Sequence, residues 1–133
     1  MNHFPKRKFR EIVFQLVYAQ DLNQGTEHVG EDMFPSAETI LEQAYQKAKE
    51  IKAVLPKIDE WITSASNEYG LNRITSVERN AIRLGLYEIA FDETIPPKVA
   101  ISEAIRITRK YGSPEGGSFV NAILDQVQKN LAQ

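Results

Sequence analysis

A chain of 133 residues, 42% hydrophobic and 26% charged, has the length of one globular domain and enough apolar material for one core. It contains no cysteine, which excludes disulfides and thiolate metal sites, and no apolar run approaches the roughly 18 residues of a membrane span. The net charge of −2 does not by itself point to nucleic acid, but the charge is unevenly spread.

The opening Met1-Asn2-His3-Phe4-Pro5-Lys6-Arg7-Lys8-Phe9-Arg10 carries only basic charge. Glu11 and Gln15 interrupt the apolar positions that follow, so no signal peptide is indicated and a cytoplasmic location is expected. Phe9, Ile12, Val13, Leu16, Val17 and Gln20 recur at spacings of three and four, predicting a helix over roughly 6 to 23. Thr26 to Pro35 reads as a polar loop, overlapping an acid-rich stretch from Glu27 to Glu60. Ser36 is a candidate cap for a second helix carrying Ile40, Leu41, Ala44, Ala48, Ile51 and Leu55, which Pro56 breaks or kinks.

A third helix carries Ile58, Trp61, Ile62 and Ala65, and Gly70 closes it. Thr75-Ser76-Val77-Glu78 has capping-box spacing and opens a helix with Val77, Ala81, Ile82, Gly85, Leu86, Ile89 and Ala90 on its apolar face. Pro96-Pro97 makes a corner before Val99, Ala100, Ala104, Ile105 and Thr108, and Tyr111-Gly112 reads as a left-handed C-terminal cap. Ser113-Pro114-Glu115 supplies a cap, a first-turn proline and an acid for the last helix, which carries Phe119, Val120, Ile123, Leu124, Val127 and Leu131. Strand signals are nearly absent. An all-α single domain over 1–133 is expected.

No arrangement of residues carries catalytic chemistry, so the chain is expected not to be an enzyme. His3 and His28 are the only histidines and neither lies near carboxylates at ligand spacing, so no metal and no cofactor are expected. Gly112 to Gly117 lacks the lysine of a phosphate-binding loop, and no nucleophile elbow surrounds any serine. Asp59-Glu60 and Asp92-Glu93 are sequence neighbours, which point apart on a helix and read as solvated surface.

Two features remain open on the residues alone. Lys6, Arg7, Lys8 and Arg10 read either as a solvated helix start or as an anion site. Cations at a helix N-terminus oppose the macrodipole by about 0.3–1 kcal/mol each, and bound phosphate relieves this. Phe119 reads either as core or as an exposed ring beside the flexible Gly116-Gly117-Ser118, where a base could stack.

Several segments together resemble the NusB family. They are Lys6 to Tyr18, with its Arg-Glu pair and Gln-x-x-Tyr; Val77-Glu78-Arg79 through Leu84-Gly85-Leu86-Tyr87-Glu88; Ile95-Pro96-Pro97-Lys98-Val99-Ala100-Ile101-Ser102-Glu103-Ala104; Lys110-Tyr111-Gly112; and Phe119-Val120-Asn121-Ala122-Ile123-Leu124-Asp125. The match is weakest from about Thr26 to Ser66. The resemblance implies a compact fold of about seven helices in two three-helix subdomains. It also implies a transcription antitermination factor that binds boxA-type single-stranded RNA of ribosomal RNA leaders. Its partners would be the NusE ribosomal protein and the RNA polymerase antitermination complex.

By that resemblance Lys6, Arg7, Lys8 and Arg10 fall on the basic RNA-binding motif and Phe119 on the base-contacting aromatic. Glu115 lies at the RNA edge, and Tyr18 and Glu78 near the junction of RNA and partner. Two lysines stand where the family has arginines, losing bidentate phosphate geometry. Pro114-Glu115-Gly116-Gly117-Ser118 also lacks the lysine that many members carry before the aromatic. Two other readings stand beside this one: the N-terminal RNA-binding module of an RNA cytosine methyltransferase, or a homodimeric protein-interaction scaffold that buries its basic helix.

Overall fold

Among the described residues, 5–23, 39–66 and 70–132 of a computed structural model, every regular element is helical. The elements are α1 (Lys6–Leu22), α2 (Ile40–Ala53), α3 (Leu55–Ser66), α4 (Ser76–Phe91), α5 (Pro97–Tyr111) and α6 (Pro114–Leu131), with a 3₁₀ turn at Leu71–Arg73. The chain divides into two compact units, Met1–Ala53 and Val54–Gln133. Among the described residues the first holds α1 and α2 and the second α3 to α6, rather than three helices each. Ser36, the polar loop, His3 and His28 lie outside the described residues.

In the first unit, α1 packs against α2. The buried face of α1 is Arg10, Val13, Phe14 and Val17, the spacing of one helical stripe. Phe9, Ile12, Leu16 and Gln20 flank it half-buried, so the inner face is turned by about one residue from the predicted one. Ala44, Ala48 and Ile51 form the buried stripe of α2. Small residues at the first two positions allow a close approach. Thr39 caps this helix, its Oγ1 accepting from the Glu42 amide at 3.0 Å. The chain breaks at Val54, and Pro56 then sits in the first turn of α3, where its missing N–H is harmless.

In the second unit, α4 contacts α3, α5 and α6. Every residue from Asn80 to Glu88 is buried, far more than one stripe, because this helix has neighbours on several sides. Gly85 permits the closest approach: a β-carbon there would stand 3.1 Å from Leu124 Cδ1 and 3.4 Å from Ala104 Cβ. Two arginines of α4 find their partners both nearby and on α3. Arg83 donates from Nε to Asp59 Oδ1 and from Nη2 to Asp59 Oδ2, both at 2.9 Å, and from Nη1 to Asn80 Oδ1. Arg79 donates to the carbonyls of Leu71 and Ile74, fastening the 3₁₀ turn to the start of α4. Trp61 and Phe91 stack at 6.0 Å between centroids, joining α3 to the end of α4.

Gly112 departs from the left-handed cap expected of it. Its φ of −126° and ψ of −115° lie outside the left-handed region. Glycine is required there by crowding: a β-carbon would meet Thr108 O at 2.9 Å and Val77 Cγ1 at 3.1 Å. Gly116 and Gly117 also depart from expectation. They are buried in the first turns of α6 rather than forming a flexible lead-in to Phe119. Ser113 caps α6 as expected, with Oγ accepting from the Gly116 amide at 3.0 Å, and Pro114 occupies the first helical position.

Candidate nucleic-acid interface

The basic turn begins directly at Pro5, which offers no side-chain cap, and the first turn of α1 holds no acid. Lys6, Arg7 and Lys8 are exposed. Arg10 is not: it is 7% exposed and lies on the same stripe as Val13 and Phe14. Charge alone grouped it with the other three, whereas its spacing from the apolar stripe puts it on the inner face. Further along α1, Tyr18 is half-buried and its ring lies 5.9 Å from that of Phe14.

Three of the other residues lie in the second unit, at or beside the start of α6. Thr75 caps α4, its Oγ1 accepting from the Glu78 amide at 3.2 Å. The Glu78 side chain extends toward α6, where its Oε2 lies 2.7 Å from the position of a β-carbon on Gly116. Thr108 Cγ2 closes the same space at 3.0 Å. The carboxylate thus sits beside the first turn of α6, where it complements the positive end of that helix's dipole. Glu115 is exposed in the same turn. Phe119 is half-buried and follows Gly116 by three residues, so it shares the edge of α6 that faces Glu78.

The cations and Tyr18 therefore belong to the first unit, and Glu78, Glu115 and Phe119 to the second. Among the described residues no group of His, Cys, Asp or Glu side chains is placed to hold a metal ion. No described helix is long and apolar enough to cross a membrane.

One surface received no role from the sequence. Along α5, Lys98, Ile101, Ser102, Ile105, Arg106 and Arg109 line an open groove of about 530 Å³. Its signal was present in Ile101 and Ile105, which are four residues apart and off the buried stripe of Ala100, Ala104, Ile107 and Thr108.

The model of the NusB family matches residues 7–129. The transcription antitermination protein NusB of Thermotoga sp. (strain RQ2) is 38% identical over 132 residues, covering 96% of this chain and 93% of that protein. NusB of Desulfosudis oleivorans is 32% identical over 133 residues, covering 95% of this chain and 86% of that protein. The structure of T. maritima NusB superposes with a TM-score of 0.85 at 32% identity, covering 96% of this chain and 93% of that one. A chain from a crystal structure of the antitermination factors NusB and NusE in complex with double-stranded RNA superposes with a TM-score of 0.77 at 25% identity. It is covered to 96%, against 94% of this chain. A family match over nearly the whole length, on an all-helical fold shared with solved members, establishes that this chain belongs to the NusB family.

Proposed function

We propose that this protein acts by binding rather than catalysis, in the cytoplasm. In this reading it holds boxA-type single-stranded RNA of ribosomal RNA leaders, together with a NusE-type ribosomal protein, in the RNA polymerase antitermination complex. The observation that carries the reading is the first turn of α1, which exposes Lys6, Arg7 and Lys8 and contains neither an acidic residue nor a side-chain cap. Such a turn is electrostatically unfavourable alone and is relieved by phosphate.

Lys6, Arg7 and Lys8 neutralise phosphates in this scheme, and buried Arg10 holds the helix rather than the RNA. Phe119 offers a face to an unstacked base, and Glu115 can accept hydrogen bonds from base amino groups. Tyr18 and Glu78 serve the junction with the NusE-type partner. A complex of NusB and NusE with RNA, containing a chain similar to this one, supports the choice of both partners. Because its RNA is double-stranded, the strandedness of the ligand is part of the test.

The experiment is fluorescence polarisation with a labelled boxA-like single strand, its duplex and an unrelated strand, with and without the NusE-type protein. The boxA-like strand should bind most tightly, and more tightly with the partner present. Reversing the charge at Lys6, Arg7 and Lys8 together should lower affinity for all three RNAs by about tenfold or more. Undiminished binding by that triple variant, or a preference for duplex, would count against the reading.

A further inference from the structure

The groove along α5 lies on the opposite edge of α6 from Phe119. Gly117, against which its Arg109 rests, is two residues and so about 200° around the helix from that ring. The inner side of α5 is committed to the core through Ala100, Glu103, Ala104, Ile107 and Thr108. Its outer side presents Ile101 and Ile105, both half-buried, one turn apart at the bottom of the groove.

The charges around this apolar floor are not equivalent. Arg106 is already engaged, donating from Nη2 to Glu103 Oε1 at 2.9 Å. Lys98 and Arg109, both exposed, have no hydrogen bond or ion pair among the described residues. They stand 11 residues apart at the two ends of the groove, roughly 16 Å along the helix axis.

Gly117 explains how Arg109 is seated. A β-carbon there would stand 2.9 Å from Arg109 Nε, 3.2 Å from its Cγ and 3.4 Å from Ile105 Cγ2. Glycine is a poor helix former, yet here it clears the space in which the arginine stem lies across α6 and borders the groove.

We infer that this groove docks an acidic amphipathic helix of another protein, with apolar side chains on Ile101 and Ile105 and carboxylates on Lys98 and Arg109. Apolar anchors one turn apart match the spacing of a helix laid in a groove. A guanidinium held at the rim suits a carboxylate bidentately. The lining contains no aromatic ring on which a base could stack, which favours a peptide over a nucleic acid at this surface.

The test uses a labelled, leucine- and glutamate-rich amphipathic peptide about 18 residues long, or five turns. A lysine-for-glutamate version and a single-stranded RNA serve as competitors. Polarisation reads affinity, amide chemical shifts locate the contact, and circular dichroism checks that each variant folds. The acidic peptide should bind with a dissociation constant on the order of micromolar and shift amides along α5 and at Gly117. K98E/R109E and, separately, I101T/I105T should each weaken it about tenfold or more, while K110E, outside the groove, should not. Equal binding of the basic peptide, an affinity unmoved by both double variants, or no binding at about millimolar concentration overturns the proposal. So does a K98E/R109E variant that loses RNA affinity while retaining the peptide, since that would give the surface to nucleic acid.

Discussion

At Phe119 the expected consequence of truncation is selective. Phe119→Ala should reduce discrimination between a boxA-like strand and an unrelated strand, while leaving the salt-sensitive part of affinity to the α1 cations. Equal loss on both RNAs, read by polarisation, would remove the stacking role. Beside it, Gly116→Ala sets two effects against each other. Alanine gains about 1 kcal/mol in helix propensity. Its methyl must displace Glu78 Oε2 and crowd Thr108, an overpacking cost of about 1–3 kcal/mol. A net loss of about 1 kcal/mol in denaturant unfolding is expected. Glu78→Ala in the same chain should recover part of it, because the nearest clash is with that side chain.

Elements were legible in the sequence wherever their cause was local. Ser113-Pro114 and Thr75 are caps whose residue types name their geometry, and both hydroxyls cap as expected, although Glu78 turns to Gly116 instead of closing the box on Thr75. Replacing either hydroxyl with alanine should cost about 1 kcal/mol of unfolding free energy. The inner stripe of α1 is one residue off the expected one because two overlapping apolar faces fit the spacing, and packing against α2 selects the one that holds Phe14 and Arg10. The tie between α3 and α4 was invisible because Asp59 and Arg83 lie 24 residues apart. Asp59→Asn removes the ionic partner of a guanidinium whose side chain is only 8% exposed. That change should destabilise the fold by about 1–3 kcal/mol in urea titrations. An effect below about half a kcal/mol would show the pair to be surface-like.

Across the molecule, charge is unevenly spread along the chain. The chain is net acidic, yet its first helical turn is cationic. RNA affinity should therefore fall steeply with salt, by a log-log slope of about −0.7 for each phosphate neutralised and about −2 if three cations each meet one. A flat response between low and moderate salt contradicts phosphate contact at α1. The family resemblance supplied the site roles, and composition alone could not: lysines, an aromatic and two acids carry no RNA signature until their positions are set. Charge left Arg10 open between surface and anion site, the resemblance gave it an RNA role, and the fold buries it. In the second unit, the continuous burial of α4 from Asn80 to Glu88 leads to a dynamic expectation. Its central amides should exchange with solvent more slowly than those of α3, α5 or α6.

The crowding at residue 112 limits what can replace that glycine. Asparagine often substitutes for glycine where a helix ends in a left-handed residue, but here it offers no remedy, because φ is already negative and the obstruction is the β-carbon itself. Val77 borders that spot from the start of α4, Thr108 from the last turn of α5, and Ser113 follows it as the cap of α6. Any larger residue must pry these three helix ends apart, which would displace Glu78 from Gly116. If the proposed function holds, a change several residues from the ring of Phe119 would then be felt as weakened RNA or partner binding in the polarisation assay.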